Sequence, residues 1–383
     1  MKKYYTLTIK TLSPVHIASG NTINKLEYVY SKESKTVYIM DMIKLSDFLM
    51  KRKLMDVFID RVQSGDKLFS LSSFFSDKVI SESEYKHYSA YSYKNDNISV
   101  TPNQMEISGF VKDAYGCPYI PGSSIKGALR TAIAYEQLMD KNEDFSDFSA
   151  RVASDIKNNK SINEYERELN EKVFHTLKRK TKFNPNTNKN EPVTKDILND
   201  CMSGLLISDS KPILPENLVL CQKTDLQIDG VTHSINILRE CIKPGTDIVF
   251  DIIIDTDLCP FSIEKIMGSL RRFYEDYDYV FRSIFIKEAN GKVYEPQKEK
   301  TSEYIYLGGG VGFPTKTVIF SLYKDEVKAA ELVSLLLEKN FRSANHIGFT
   351  RKEKISPKVL KCTMYQNKLH EMGLCEIHFK EKK

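Results

Sequence analysis

The chain has 383 residues, a formal net charge of +5, and 41% hydrophobic and 28% charged residues spread along its whole length. That size exceeds what one hydrophobic core usually serves, so two domains are expected, and the composition excludes a disordered polymer. No stretch approaches the roughly 18 consecutive apolar residues of a membrane span, and Met-Lys-Lys-Tyr-Tyr-Thr opens no apolar signal region, so a cytoplasmic protein without membrane association is expected.

Along the chain, Tyr4 to Leu12 alternates Tyr5, Leu7 and Ile9 with Thr6, Thr8 and Lys10, the period of a half-buried strand. Leu26–Tyr30 and Val37–Met40 predict a hairpin around Ser31 to Lys35. Met42–Phe58 carries helical spacing at Leu45, Phe48 and Leu49, and Ile107–Val111 reads as the next strand. In Ser123–Leu138, Ile125, Leu129, Ala132 and Ile133 mark one face of a helix. Strand, hairpin, helix, strand and helix in this order predict an α+β architecture with helices on one side of an antiparallel sheet.

Residues 140–200 shift to charged residues and asparagine, with a helical centre at Glu164–Leu177 and a flexible run from Asn184 to Asn188, and read as a peripheral insertion. A second αβ pattern follows: strands at Leu205–Ser208, Leu218–Gln222 and Ile248–Ile254, then a helix over Phe261–Phe281. The glycine-rich Leu307–Phe313 comes next, then a helix over Glu326–Leu337 and strands at Val359–Met364 and Leu374–Phe379. The expected domains are 1–210, with the insertion at about 140–200, and 211–383, with the glycine-rich loop.

Charge is unevenly placed. Arg342 to Lys383 holds ten Lys/Arg against four Asp/Glu, and Lys178-Arg179-Lys180-Thr181-Lys182 forms a second basic cluster, read equally well as a track for phosphates or as a solvated loop. The seven cysteines form no C-x-x-C pair and have no neighbouring His, so reduced buried thiols and no metal are expected.

Three motifs carry chemistry. In Ser13-Pro14-Val15-His16-Ile17-Ala18-Ser19-Gly20, Pro14 ends strand pairing and Gly20 permits positive φ. His16 has three readings: a hydrogen-bonded turn residue, an RNA contact, or a general acid/base in RNA cleavage. In Pro121-Gly122-Ser123-Ser124-Ile125-Lys126-Gly127-Ala128-Leu129-Arg130, Ser123 or Ser124 is expected to cap the helix. Lys126 then sits near the positive end of the helix dipole, an arrangement that an anion such as phosphate would relieve, and it shares a face with Arg130. Gly127 costs about 1 kcal/mol against Ala in a helix and is expected to admit RNA or a neighbouring backbone. The third motif, Gly308-Gly309-Gly310-Val311-Gly312-Phe313-Pro314-Thr315-Lys316, can wrap a ligand backbone, yet matches neither the P-loop nor the dinucleotide fingerprint, so no nucleotide cofactor is expected. Tyr115, Tyr119 and Phe313 are the candidate stacking residues.

These three motifs, in this order, resemble the RAMP superfamily of CRISPR proteins, and the length, the insertions and the late Gly-Gly-Gly-Val-Gly-Phe are most similar to the fifth subunit of the type III-A Csm complex. The resemblance implies tandem RRM-like (ferredoxin-like) units with helical insertions, and a non-catalytic role in antiviral defence. It implies a subunit that caps the backbone filament at the 3′ end of the CRISPR RNA and serves its 3′ maturation. The implied partners are the CRISPR RNA, a backbone RAMP subunit, the small helical subunit, host 3′-trimming nucleases and, indirectly, target RNA. Carried onto this chain, the RNA-binding residues are His16, Gly20, Ser123, Ser124, Lys126, Arg130, Gly308, Gly309, Gly310, Gly312 and Lys316. Target-cleaving relatives carry an Asp after the first strand; Asn21-Thr22-Ile23-Asn24-Lys25 has none, and Glu27 is the nearest carboxylate. The competing reading is a metal-independent endoribonuclease with His16 as acid or base, or another type III RAMP subunit.

Overall fold

The alternation in the first strand places Tyr5, Leu7 and Ile9 in the core while Thr6 and Thr8 stay half-exposed. This computed structural model describes residues 1–95, 105–141, 145–193, 195–296, 302–323, 325–341 and 345–382. In chain order, β1 (Lys2–Thr11) is followed by β2 (Ala18–Ile23) and the expected hairpin of β3 (Tyr28–Ser31) and β4 (Thr36–Met40). Then come α1 (Met42–Lys51), α2 (Met55–Gln63), α3 (Leu71–Asp77), α4 (Glu82–Tyr85), β5 (Ser89–Lys94) and β6 (Ile107–Phe110). The central helices are α5 (Gly122–Asp140), α6 (Ser146–Lys157) and α7 (Asn163–Phe174). Strands β7 (Thr181–Asn184), β8 (Lys189–Pro192), β9 (Leu205–Ile207), β10 (Leu218–Gln227), β11 (Thr232–Ile242) and β12 (Asp247–Asp255) lead to α8 (Ile263–Tyr277) and α9 (Ser283–Glu288). The chain closes with β13 (Glu303–Tyr306), α10 (Ile319–Leu322), α11 (Glu326–Asn340), α12 (His346–Glu353), β14 (Val359–Tyr365), β15 (Lys368–Glu371) and β16 (Leu374–Glu381).

Two large sheets organise these elements: one of five strands in the order β13-β16-β1-β12-β9, and one of six in the order β15-β14-β10-β11-β6-β2. Both take strands from either side of residue 210. In the first, β1 lies between β12 and β16 and is antiparallel to each, so the earliest strand is held by two that come more than 230 residues later. In the second, β6 runs parallel to β11 while the other pairings are antiparallel. Helices α5 and α8 are locked together by Lys265–Glu136 at 2.9 Å and Arg272–Asp140 at 2.6 Å. Strands β3, β4 and β5 form a separate three-stranded sheet that packs with α1 to α4 around Phe48, Phe74 and Phe75.

Several local expectations are corrected. The helix expected over Met42–Phe58 is two helices, because Lys53 takes φ +55° and its neighbours turn the chain between α1 and α2. The helix expected over Phe261–Phe281 ends at Tyr277 and continues as a π turn, Asp278–Arg282. The run from Asn184 to Asn188 is the tight turn between β7 and β8, pinned by Asn184 Nδ2 donating to Glu191 at 2.8 Å. Nor is 140–200 peripheral as a whole: Phe148, Val152, Ile156 and Phe174 are buried in the same apolar cluster as Leu7 and Ile9.

Neither Ser123 nor Ser124 caps α5. The N-cap is Pro121, and the Gly122 N–H donates to the Asp209 carboxylate at 2.9 Å, because β9 and the residues after it run against the helix start. A Cβ at Gly122 would press on the Ile207 and Ser208 carbonyl oxygens and lie 2.8 Å from the Ser208 carbonyl carbon. One at Gly127 would meet nothing within 4 Å. Gly122→Ala is therefore expected to destabilise the protein by about 1–3 kcal/mol through overpacking, whereas Gly127→Ala should stabilise it by about 1 kcal/mol through helix propensity alone. Urea unfolding of the two variants checks both signs.

Candidate functional site

A groove of about 840 Å³ brings the three motifs together: Ile17 and Ala18 from the first, Ser123, Ser124, Gly127 and Arg130 from the second, and Gly308, Gly309, Phe313 and Lys316 from the third. The assembly starts where β1 ends. Pro14 O accepts from Gly373 N at 2.9 Å, and Gly373 O accepts from Leu307 N at 2.9 Å. The glycine-rich loop then crosses the first motif, with Gly309 N donating to His16 O at 2.7 Å. Gly308 has φ +83°, and a Cβ there would sit inside the contact radius of the His16 carbonyl oxygen. Only glycine supplies both the left-handed backbone and the missing atom.

His16 works underneath this contact. Its ring is 2% exposed, with Nδ1 2.7 Å from the Glu240 carbonyl oxygen and Nε2 3.2 Å from Ser108 Oγ. Burial lowers its pKa, and both nitrogens are engaged within the protein. The backbone of His16 therefore positions the loop, while its ring faces away from the groove. Of its three readings, this geometry is that of the hydrogen-bonded turn residue.

The cations of the second motif also have partners. Lys126 Nζ donates to Leu205 O at 2.7 Å, and burial lowers its pKa. Arg130 bonds Asp200 at 2.8 Å and Asn170 at 3.0 Å and lies 4.1 Å over the Phe174 ring. The expected need for an external anion at Lys126 is thus met inside the chain, by a carbonyl and the nearby Asp200. Arg130 nonetheless lines the groove, and Gly127 opens directly onto it. Lys316 also lines it from an exposed position, with its pKa lowered by partial desolvation and no acidic partner among the described residues.

The remaining sequence-predicted residues fall elsewhere. Gly20 lies in β2 at φ +84° with open space around it, away from the groove. Gly310 and Gly312, at φ +86° and +91°, face the opposite side of the loop, toward Arg239 and Lys361. Tyr115 is 92% exposed on a turn, and of the three stacking candidates Phe313 reaches the groove. Sequence reasoning missed the opposite apolar wall, formed by Phe148, Val152 and Ile156 of α6, Leu169 of α7, and Ile319 and Leu336 of α10 and α11. The four-residue spacing of Phe148, Val152 and Ile156 is the signal that could have found it.

One carboxylate holds the floor together. Glu240, fully buried in β11, accepts from Tyr91 Oη at 2.6 Å, Phe110 N at 2.8 Å and Lys112 Nζ at 2.5 Å. Among the described residues no His, Cys, Asp and Glu cluster has the geometry to hold a metal, and no helix is long and apolar enough to cross a membrane.

Comparison with known proteins gives the site its context. Residues 8–317 match the model of the RAMP superfamily. The chain is similar to the CRISPR system Cms protein Csm5 of Streptococcus thermophilus, 30% identical over 324 residues covering 82% of this chain and 80% of that one. Among solved structures it resembles the crystal structure of T. onnurineus Csm5, with a TM-score of 0.63 and 20% identity over 96% of this chain and 99% of that one. It also resembles a chain of a Csm–crRNA–target RNA ternary complex of a type III-A CRISPR-Cas system, with a TM-score of 0.60 and 19% identity over 99% of this chain and 100% of that one. With the two large sheets, these matches make the fold the expected α+β arrangement of tandem RRM-like units.

Two outcomes follow from the buried polar groups. Glu240→Ala should cost about 3–5 kcal/mol, since it strands the Lys112 ammonium and the Tyr91 hydroxyl, and chemical denaturation reads the loss. The second concerns pH. An imidazole whose folded pKa lies below its unfolded value near 6.5 stabilises the fold fully above that pH. The contribution is lost as pH falls toward the folded pKa, because the unfolded chain takes the proton first. His16 belongs to this class, and so does His370, which burial and then Lys368 pull down to about 4. For His370 the loss between pH 6.5 and 4 corresponds to about 3 kcal/mol, and unfolding midpoints that do not fall across this range would contradict the assignment.

Proposed function

Because the chain belongs to the RAMP superfamily and, within it, to the Csm5 family, we propose that it is a non-catalytic subunit of a type III-A Csm interference complex that holds the 3′ end of the CRISPR RNA. The observation that carries this reading is the convergence of three motifs, more than 290 residues apart at their extremes, on one groove. Its mouth offers what a single strand of RNA needs from a partner that must ignore sequence. Backbone at Gly308 and Gly309 lets the strand come close, Ser123 and Ser124 supply hydroxyls, Arg130 and Lys316 supply charge, and Phe313 supplies an aromatic face.

In this reading Lys126, His16 and Gly20 act through shape. Lys126 fixes α5 against β9, His16 seats the glycine-rich loop, and Gly20 turns the backbone of β2. The Csm–crRNA–target RNA complex among its structural relatives supports crRNA and target RNA as partners; a backbone RAMP subunit, the small helical subunit and the nucleases that trim the 3′ end are the further partners that the family resemblance implies. The segment from Asn21 to Lys25, the end of β2 and the turn after it, carries no carboxylate, which supports a subunit that does not cut target RNA.

Gly127→Leu provides the test. The site is open and the residue is a good helix former, so the variant should fold while filling the groove mouth. Binding of CRISPR RNA by the assembled complex should fall by about tenfold or more, equivalent to ~1.4 kcal/mol. Sequencing of copurified CRISPR RNA should reveal heterogeneous 3′ ends with an intact 5′ handle. Unchanged 3′ ends and affinity would sink the groove as the RNA site, and uncut repeats would move the function to repeat processing.

A further inference from the structure

The glycine-rich loop has a second side. Gly308 and Gly309 face the groove, but Gly310 and Gly312 lie over the outer face of the six-stranded sheet. A Cβ at Gly310 would stand 2.6 Å from a guanidinium nitrogen of Arg239, and one at Gly312 would stand 3.4 Å from Cγ of Lys361. Arg239 comes from β11 and Lys361 from β14; between them on β10 lie Lys223 and Asp225, with Asp225 registered against Lys361. The inward side of β10 carries the buried Leu218, Leu220 and Leu226, so Lys223, Asp225 and Gln227 lie on the opposite face, where Cys221 next to them is buried with Cys241 and Met372.

Three cations and one carboxylate meet here. Lys361 bonds both oxygens of Asp225, at 2.9 and 3.0 Å. Lys223 and Arg239 are half-buried and form no salt bridge among the described residues, and Asp225, which bonds Lys361, offsets only part of the charge at Lys223. Burial lowers the pKa of Lys223, and the neighbouring Lys361 pushes the same way. Partly desolvated positive charge without a counter-charge is unfavourable unless a ligand supplies the anion. Lysine and arginine would be poor choices for a face that only needed covering, since two cations within one cluster repel.

Backbone geometry points to the same kind of ligand. Two glycines at positive φ in three residues, with Gly308 before them, keep side chains off the loop where it passes above these cations, so an extended polymer can lie against bare backbone. The cluster draws on β10, β11 and β14 and so follows the sheet across its strands. That is the geometry of a track for repeating charge.

We propose that Arg239, Lys223 and Lys361, roofed by the backbone of Gly310 to Gly312, form a seat for the phosphodiester backbone of single-stranded RNA on the outer face of the six-stranded sheet. The seat rests on the RNA-binding reading given above and adds a second contact surface to it, on the far side of the glycine-rich loop from the groove. Asp225 tempers the seat by holding Lys361.

The test uses the full-length chain and a labelled single-stranded oligouridine, titrated across a series of salt concentrations. Neutralising two cations in Lys223→Gln/Arg239→Gln should weaken binding by about tenfold or more at low salt and flatten the log–log salt dependence by ~0.7 for each phosphate no longer neutralised. Asp225→Asn should act in the opposite direction, tightening binding and steepening the slope. A merely structural perturbation does not give opposite signs in neighbouring variants. Wild-type binding with a normal salt slope that neither variant changes would overturn the seat and leave the groove reading standing. Absence of salt-dependent RNA binding by the wild-type chain, both alone and in its complex, would overturn both.

Discussion

The groove depends on a buried carboxylate. Taking Glu240 out of water costs several kcal/mol, and only an arrangement that satisfies its oxygens offsets the penalty. Here three donors do so, and they come from three places: Tyr91 on β5, the backbone of Phe110 on β6, and Lys112 just beyond β6. Charge-assisted hydrogen bonds of this kind contribute about 1.5–3 kcal/mol each. The same residue's carbonyl takes the His16 ring. Strand β11 is thereby the reference against which the small three-stranded sheet, the parallel strand β6 and the first motif are all placed. Lys112 also lies 4.7 Å over the Tyr91 ring, so removing either donor disturbs the other.

From that reference the rest of the site is built by close backbone contact. His16 is fixed through its ring, which fixes its carbonyl, which receives the Gly309 N–H. Gly308 fits against that carbonyl because it has no Cβ, and Gly373 fits between Val311 and Leu307 for the same reason. The loop is thus held firmly at its start and presents bare backbone on both sides. The helix that faces it is anchored in an equivalent way: Gly122 lies against β9 and the residues after it, Lys126 donates to the Leu205 carbonyl, and Arg130 is clamped between Asp200 and Phe174.

Much of this is legible in the sequence where the signal is local. The periodicities of β1, α5 and α8 and the hairpin of β3 and β4 can be read from residue spacing, because one face of each element is buried. What spacing does not encode is which strands meet. The placement of β1 between β12 and β16, and the parallel pairing of β6 with β11, rest on contacts across more than a hundred residues. The glycines do mark points of close approach, but the approach is at Gly122 and Gly308, whereas Gly127 is open. The serines after Pro121 look like caps, yet the chain supplies Asp209 from elsewhere to receive the first helical N–H. Charge counting points to the basic C-terminal stretch, whose ends Arg342 and Lys383 lie outside the described residues. The cluster of Lys223, Arg239 and Lys361 is spread over 139 positions and shows no local excess at all.

On the RNA-binding reading proposed above, the chemistry of the two surfaces suits a subunit that serves guides of any sequence. Discrimination between bases requires side-chain donors and acceptors aimed at base edges in fixed geometry. Part of the groove carries none: its opposite wall includes Phe148, Val152, Ile156 and Leu336, and its loop at Gly308 and Gly309 is bare backbone, while Asn163, Glu166 and Asn170 of α7 bring polar side chains to the rim. Arg130, the side chain best suited to such readout, is already engaged with Asp200 and Asn170. What the loop and the start of α5 present is backbone, hydroxyl and cation, which recognise features that every nucleotide shares. Evolution toward base specificity at this site would need polar side chains at positions where the loop tolerates none, because any side chain at Gly308 collides with the His16 carbonyl that holds the loop in place. The constraint that builds the loop is therefore the one that keeps this side of the site indifferent to sequence.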